Sequence, residues 1–192
     1  MEVYLKEGCG HQPHKNILIL GEGNFSFARE FCATVASEDE SSNNHIITTQ
    51  NDIESKLRVY ATSFDSSEIV HKNEFAKENV ASLTQMKHVH VMHGVDATKL
   101  AATFGDGAEN HSSNFSSIIF NFPHVGGKSN IRKCRLLLKE FFASASKFVC
   151  NEGRVLVALC KGQGGTPVDV DRGGYGNTWQ VVSQAEISGE YM

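Results

Sequence analysis

Three short stretches of this chain carry side chains that could do chemistry. The first is Gly21-Glu22-Gly23-Asn24-Phe25-Ser26-Phe27, where two glycines let the backbone turn sharply and approach a ligand while a following helix presents its N-terminal N–H groups. This is a nucleotide-binding type of loop, and a plain tight turn is the other reading. Ser26 stands where the dinucleotide fingerprint G-x-G-x-x-G has its third glycine, which counts against a nicotinamide cofactor. The second stretch is a pair of acids, Asp65 in ATSFDS and Asp96 in HGVDAT. At strand ends, one can accept hydrogen bonds from the ribose hydroxyls of an adenosine and the other from an adenine amino group; either can instead cap a helix. The third is Asn121-Phe122-Pro123-His124, followed by Val125-Gly126-Gly127. A side-chain amide, a carbonyl fixed by proline and a flat ring can hold a nucleobase in plane by hydrogen bonding and stacking, the alternative being a Pro-Gly turn.

Charge narrows the partners. The formal net charge is -4, so the chain does not grip nucleic acid by bulk electrostatics, and any RNA contact must come from a local patch. Lys128, Arg132, Lys133, Arg135 and Lys139 supply five bases within 12 residues, and Lys161 follows the last strand. These could clamp RNA phosphates at the mouth of a pocket, or simply decorate the solvated face of a helix. Five scattered cysteines without a CxxC pair support neither a disulfide framework nor a four-cysteine zinc site. Cys9, His11 and His14 in CGHQPH have ligand chemistry, but a solvated arm is the expected reading and no metal is expected.

The elements that must position these residues follow from the apolar pattern. At 192 residues, 40% hydrophobic and 21% charged, the chain has the size and composition of one globular domain. Residues 16–23, 58–65, 88–96, 116–123 and 153–162 read as strands buried on both faces. Helices are predicted at 25–36, 67–83 and 131–149, the last with Ile131, Cys134, Leu138, Phe141, Phe142, Ala145, Phe148 and Val149 on one face. Alternation of strand and helix predicts an α/β, doubly wound, mostly parallel sheet of Rossmann-like type. In such a sheet ligands bind beyond the carboxyl ends of the strands, where all three stretches fall.

Residues 1–15 read as an N-terminal arm and 16–192 as the domain, with 37–57 a polar insertion and 105–114 a second loop. The glycine-rich stretch 162–176 reads as a mobile lid or a disordered loop. A last helix is predicted with Asn177 or Thr178 as its N-cap. Sheets of this type often carry one or two more strands, so a fragment, a truncated gene model and a compact variant are all open readings. The apolar runs are too short to cross a bilayer and no signal peptide precedes them, so a soluble, intracellular protein with no membrane partner is expected.

GEGNFSFA, ATSFDS, HGVDATKL, IIFNFPHVGG and ALCKGQGGTP with the later TWQVV, five motifs in order from about Asn16 to Gln184, resemble the Rossmann-like domain of the uridine-N(3) methyltransferases of large-subunit rRNA. The tail looks most like the N-terminal domain of the animal proteins that carry a ferredoxin-fold anticodon-binding domain. The resemblance implies S-adenosyl-L-methionine as cofactor, rRNA as substrate and a nucleolar or cytoplasmic setting. It implies that Gly21, Gly23 and Asn24, with Glu22 between the glycines, line the methionine part, that Asp65 meets the ribose and Asp96 the adenine, and that Asn121, Phe122, Pro123 and His124 face the uracil. Two features depart from the pattern: Ile19 stands where an acid often precedes the glycine loop, and no anticodon-binding domain is expected within these residues.

Methylation at uridine N3 requires loss of an imide proton, so alignment and a modest base are needed. His124 is the candidate base, because an imidazole titrates near neutral pH, whereas Asn121 could only orient the ring. Two other readings stand beside this one: a non-catalytic module of the same fold that binds RNA or protein, and, on the glycine loop and Asp65 alone, a nicotinamide-dependent oxidoreductase.

Overall fold

A computed structural model describes residues 2–4, 15–41, 57–104, 115–127, 130–166 and 174–188. In chain order the elements are β1 (Glu2–Tyr4), β2 (Lys15–Leu20), α1 (Ser26–Ser41), β3 (Leu57–Thr62), α2 (Ser67–Val70), α3 (Glu74–Thr84), β4 (Val89–Met92), α4 (Leu100–Thr103), β5 (Phe115–Asn121), α5 (Ile131–Ala145), β6 (Val149–Ala158), a 3-10 turn (Tyr175–Asn177) and α6 (Val181–Ile187). The alternation and the parallel pairings make this an α/β fold of the doubly wound, Rossmann-like kind. It divides into two compact units, Gly10–Val95 and Asp96–Met192 together with Met1–Cys9.

In the first unit β2 runs parallel to β3, with Ile17 opposite Val59, and β3 parallel to β4, with Val59 opposite Val89. Leu18, Ile19 and Leu20 are buried, as are Val59, Tyr60 and Ala61, as expected of continuous apolar strands covered on both faces. The single helix predicted over 67–83 is two. α2 stops at Val70, and Asn73 starts α3 by accepting a hydrogen bond from the Ala76 N–H at 3.2 Å. Asn73 therefore acts as an N-cap in what the periodicity reads as a helix interior.

In the second unit β5 runs parallel to β6 and β1 lies antiparallel against β6, with Val3 opposite Val155. Part of the predicted N-terminal arm is thus a strand. The β5–β6 register shifts between Phe115 and Ser117, and at the shift Gly153 lies so close to the Phe115 carbonyl and the Val149 side chain that a Cβ would strike both. α5 buries Cys134, Leu138, Phe141, Phe142 and Ala145, an apolar stripe at helical spacing, and Phe141 meets Phe120 of β5 edge-on at 5.0 Å. α5 ends at Ala145, so Phe148 belongs to the following turn and Val149 to β6. Its N-cap is Asn130, which accepts from the Lys133 N–H at 3.2 Å.

Other boundaries also shift. α1 continues to Ser41, into the predicted insertion, of which residues 42–56 lie outside the described residues, as do 105–114 and 167–173. The final helix begins at Val181 after Gln180, not after Asn177 or Thr178. Asn177 closes the 3-10 turn, and Thr178 Oγ1 donates back to the Tyr175 carbonyl. Among the described residues no helix is long and apolar enough to cross a membrane.

Candidate functional site

Parallel pairing sets the carboxyl ends of β2, β3 and β4 along one edge of the Gly10–Val95 unit, and backbone hydrogen bonds stitch that edge together. The Glu22 N–H donates to the Thr62 carbonyl at 2.8 Å, Ser63 N–H to Met92, Val95 N–H to Ser63 at 2.9 Å and Gly94 N–H to Asp65. Thr62 Oγ1 reaches back to the Ile19 carbonyl. The loop after β2 is therefore fixed against the turn after β3, and that turn against the one after β4.

Side chains complete the loop. Gly21 has φ +73° and Phe25, fully buried, has φ +60°. Asn79 of α3 donates to the Asn24 carbonyl and accepts from Arg29 of α1, both at 2.8 Å, so one buried amide joins loop and both helices. Two N–H groups of the first turn of α1 are met by side chains of the loop: Asn24 Oδ1 accepts from Ser26 N–H and Glu22 Oε2 from Ala28 N–H. Glu22, 7% exposed, thus points into the protein, and burial raises its carboxyl above the ordinary range, opposed by the Ala28 N–H. Gly23 faces open space, with nothing within 4 Å of where a Cβ would lie.

Asp65 sits at this edge with its side chain exposed and, among the described residues, unpartnered; its backbone carbonyl accepts from Ser63 Oγ at 2.8 Å. Ser63 Oγ also lies 2.7 Å from His93 Nδ1. Because the hydroxyl proton goes to the Asp65 carbonyl, the imidazole is the donor, and His93 carries its proton on Nδ1. Phe25 and His71 both pack edge-on against the His93 ring, and burial, then the His71 charge, push its pKa down, opposed by Glu68. Ser63, Asn79 and His93 were not singled out from the sequence. Their partners lie two to 55 residues away, and nothing in local spacing marks them.

Asp96 belongs to the other unit. Its Oδ1 accepts from both the amide and the hydroxyl of Thr98, at 2.9 and 2.7 Å, an Asx turn that engages one oxygen. There too, Asn121 ends β5, and the Phe122 N–H continues the ladder to Ala158 at 2.9 Å. Phe122 has φ +48° and is 62% exposed, while Pro123 is buried. His124 is exposed, and its Nδ1 accepts from the Gly126 N–H at 2.9 Å. Gly126 and Gly127 both have positive φ, at +76° and +62°, a turn that L side chains resist.

Of the basic residues, Arg132, Lys133, Lys139 and Lys161 are exposed, and Lys128 lies outside the described residues. Arg135 is already engaged: its guanidinium donates twice to the Thr178 carbonyl, at 3.0 and 2.7 Å, and once to Gly176 at 2.7 Å. It holds the C-terminal segment to α5. The described part of the predicted lid is also anchored, since Trp179 N–H donates to Gln163 at 2.6 Å and Val181 N–H to Gly164 at 2.9 Å.

Cys32, Cys134 and Cys150 are buried and Cys160 exposed, none of them in a disulfide; burial pushes Cys32 up to about 11. Among the described residues no three His, Cys, Asp or Glu side chains come together as a metal site, and Cys9, His11 and His14 lie outside them. A hollow of about 310 Å³ beside α4 and α5, lined by Lys99, Glu140 and Lys147 among others, includes none of the predicted site residues.

In a Rossmann-like fold ligands bind beyond the carboxyl ends of the strands, and here a glycine turn follows the second strand and an acid the third at that edge. Residues 18–191 match the family model described as rRNA (uridine-N3-)-methyltransferase BTM5-like, and the chain belongs to this BMT5-like family. It is 37% identical over 175 residues to the human Ferredoxin-fold anticodon-binding domain-containing protein 1 and 34% identical to the mouse homolog, covering 91% of this chain and 24% of each relative. It is 31% identical over 164 residues to Heavy metal-associated isoprenylated plant protein 41 of Arabidopsis thaliana, covering 82% of this chain and 27% of that protein. The chain thus spans about a quarter of the length of these relatives.

Proposed function

We propose that this chain is an S-adenosylmethionine-dependent RNA base methyltransferase domain acting on N3 of a uridine in large-subunit rRNA, in a nucleolar or cytoplasmic setting. The reading is supported by family membership, and the observation that carries it is the edge of β2 and β3. There a pre-formed glycine turn lies beside Asp65, whose carboxylate is exposed and unpartnered among the described residues. These residues fit the cofactor. Two open carboxylate oxygens can accept from vicinal ribose hydroxyls, and the space over Gly23 is clear.

Bound S-adenosylmethionine supplies an electrophilic methyl group. The chain's own residues do the rest. Asp65 binds the ribose, the backbone of Gly21 to Asn24 lines the methionine part, and the free oxygen of Asp96 meets the adenine. Glu22 supports the loop from beneath by holding the first turn of α1. Asn121, Phe122, Pro123 and His124 receive the base, and Arg132, Lys133, Lys139 and Lys161 offer exposed charge to phosphates.

Calorimetric titration with S-adenosylhomocysteine tests this reading. The wild-type chain is expected to bind, and Asp65→Ala to bind at least about tenfold more weakly with an unchanged melting temperature, because the carboxylate has no partner among the described residues. No binding by folded wild-type chain overturns the proposal in favour of a non-catalytic RNA- or protein-binding module.

A further inference from the structure

We infer that His124 acts as a hydrogen-bond donor to a carbonyl oxygen of the target base, and not as the base that removes its proton. This deepens the methyltransferase reading and rests on it. The argument starts from one bond: Nδ1 of His124 accepts the Gly126 N–H at 2.9 Å. A neutral imidazole has one lone-pair nitrogen and one N–H. With Nδ1 occupied as acceptor, the ring proton is on Nε2, so the nitrogen left to meet a ligand carries a proton and has no lone pair to offer.

The loop is built to keep this arrangement. The Gly126 N–H that meets the imidazole opens a turn in which Gly126 and Gly127 both lie at positive φ. No Cβ would clash at either position, so their need for glycine is one of backbone conformation. Buried Pro123 anchors the turn, and the exposed Phe122 and His124 rings flank it. This surface offers a stacking ring and an N–H donor, together with the carboxamide of Asn121.

The imide edge of uracil presents carbonyl oxygen, N–H and carbonyl oxygen. An N–H donor fits either carbonyl. It also fits better as N3 loses its proton, because the charge then spreads onto those oxygens, which is the condition for a group to favour the reactive form over the resting one. Made at the C4 oxygen, the contact also discriminates, because cytosine carries an amino group there and would oppose a donor with a donor. The N3 proton goes to solvent, the electron pair it leaves is the one that takes up the methyl group, and His124 keeps its own proton throughout.

Two measurements on the full chain decide the matter. Nitrogen-15 NMR of histidine-labelled protein should show His124 as the Nε2–H tautomer; an Nδ1–H tautomer overturns the inference without touching cofactor binding. Methyl transfer to unmodified transcripts of large-subunit rRNA should fall about 100-fold or more in His124→Ala, the usual cost of removing one such donor. His124→Gln, which retains an N–H donor but cannot act as a base, should stay within about tenfold of wild type. A Gln variant as inactive as the Ala variant overturns the inference. Wild-type chain that transfers no methyl group to any uridine transcript brings down the methyltransferase reading itself, and this role with it.

Discussion

Two phenylalanines at positive φ follow two strands of this molecule and meet opposite fates. Phe25, after β2, is fully buried, lies edge-on to His93 and sits in a loop that Asn79 ties to α1 and α3. Phe122, after β5, is 62% exposed, and its amide bonds to Ala158. Left-handed backbone at a residue with a Cβ costs about 1–2 kcal/mol, and a ring that costs this much must be held by something else. For Phe25 that something is packing, so the glycine loop is a rigid, pre-formed wall. For Phe122 the strand ladder and buried Pro123 hold the backbone, and the mostly exposed ring gains little from the described residues in return. Strain without compensating burial is the pattern expected where the partner is a ligand.

The contrast breaks most visibly at Phe25. Phe25→Ala should cost about 3–5 kcal/mol, as for a fully buried aromatic, and should loosen the Asp65 turn through His93 and Ser63. Denaturant unfolding and S-adenosylhomocysteine titration should therefore fall together. Were stability to drop by less than about 1 kcal/mol, the loop would not be the packed wall described here.

The next effect tests whether the second unit, too, is rigid away from its exposed loop. Arg135→Ala removes three charge-assisted donors to the carbonyls of Gly176 and Thr178 and should cost about 1.5–3 kcal/mol. Protease cleavage should then appear within 174–188 before the chain unfolds globally. An Arg135 that instead served RNA directly would leave this segment protected and weaken only RNA binding.

Much of this architecture was legible in the chain itself. NILIL, RVLVAL and IIFNF read as strands and are strands, although RVLVAL in β6 alternates in burial instead of being covered on both faces, and the α5 stripe from Cys134 to Ala145 is buried as its spacing predicts. The positions of Gly21, Asp65 and Asn121 at strand ends followed from the same pattern. What escaped was set by pairings that local spacing does not encode. Glu2–Tyr4 is too short to signal a strand without its partner β6, and Asn73 looks like any polar helix residue until its side chain meets Ala76 N–H. Arg135 read as one of a basic run because its carbonyl partners lie 41 to 43 residues on. For His124, residue type suggested a base, and only the bond from Gly126 assigns its proton.

Phe122 sharpens the comparison from the other side. Phe122→Gly relieves the positive φ and removes little packed surface, so it should raise stability by up to about 1 kcal/mol while methyl transfer to rRNA falls and S-adenosylhomocysteine binding is unchanged. A loss of stability would mean that the ring is part of the fold after all.

The smallest effect separates the role of Glu22 in the fold from a role toward a ligand. Burial raises its carboxyl above the ordinary value of 4.5, so the native state holds this proton more tightly than the unfolded chain does. The stability the group contributes is therefore complete below about 4.5 and is lost as pH rises through the higher native value. Glu22→Gln keeps an oxygen for the Ala28 N–H but never ionises. Its melting temperature should match wild type in acid and exceed it toward neutral pH, the gap opening across the interval between the unfolded and native values. If Glu22 were instead a carboxylate needed by the cofactor, the same variant would bind S-adenosylhomocysteine more weakly at neutral pH. Unchanged binding with a rising stability gap is the outcome expected of a side chain that supports the glycine loop from within while Asp65, exposed beside it, does the binding.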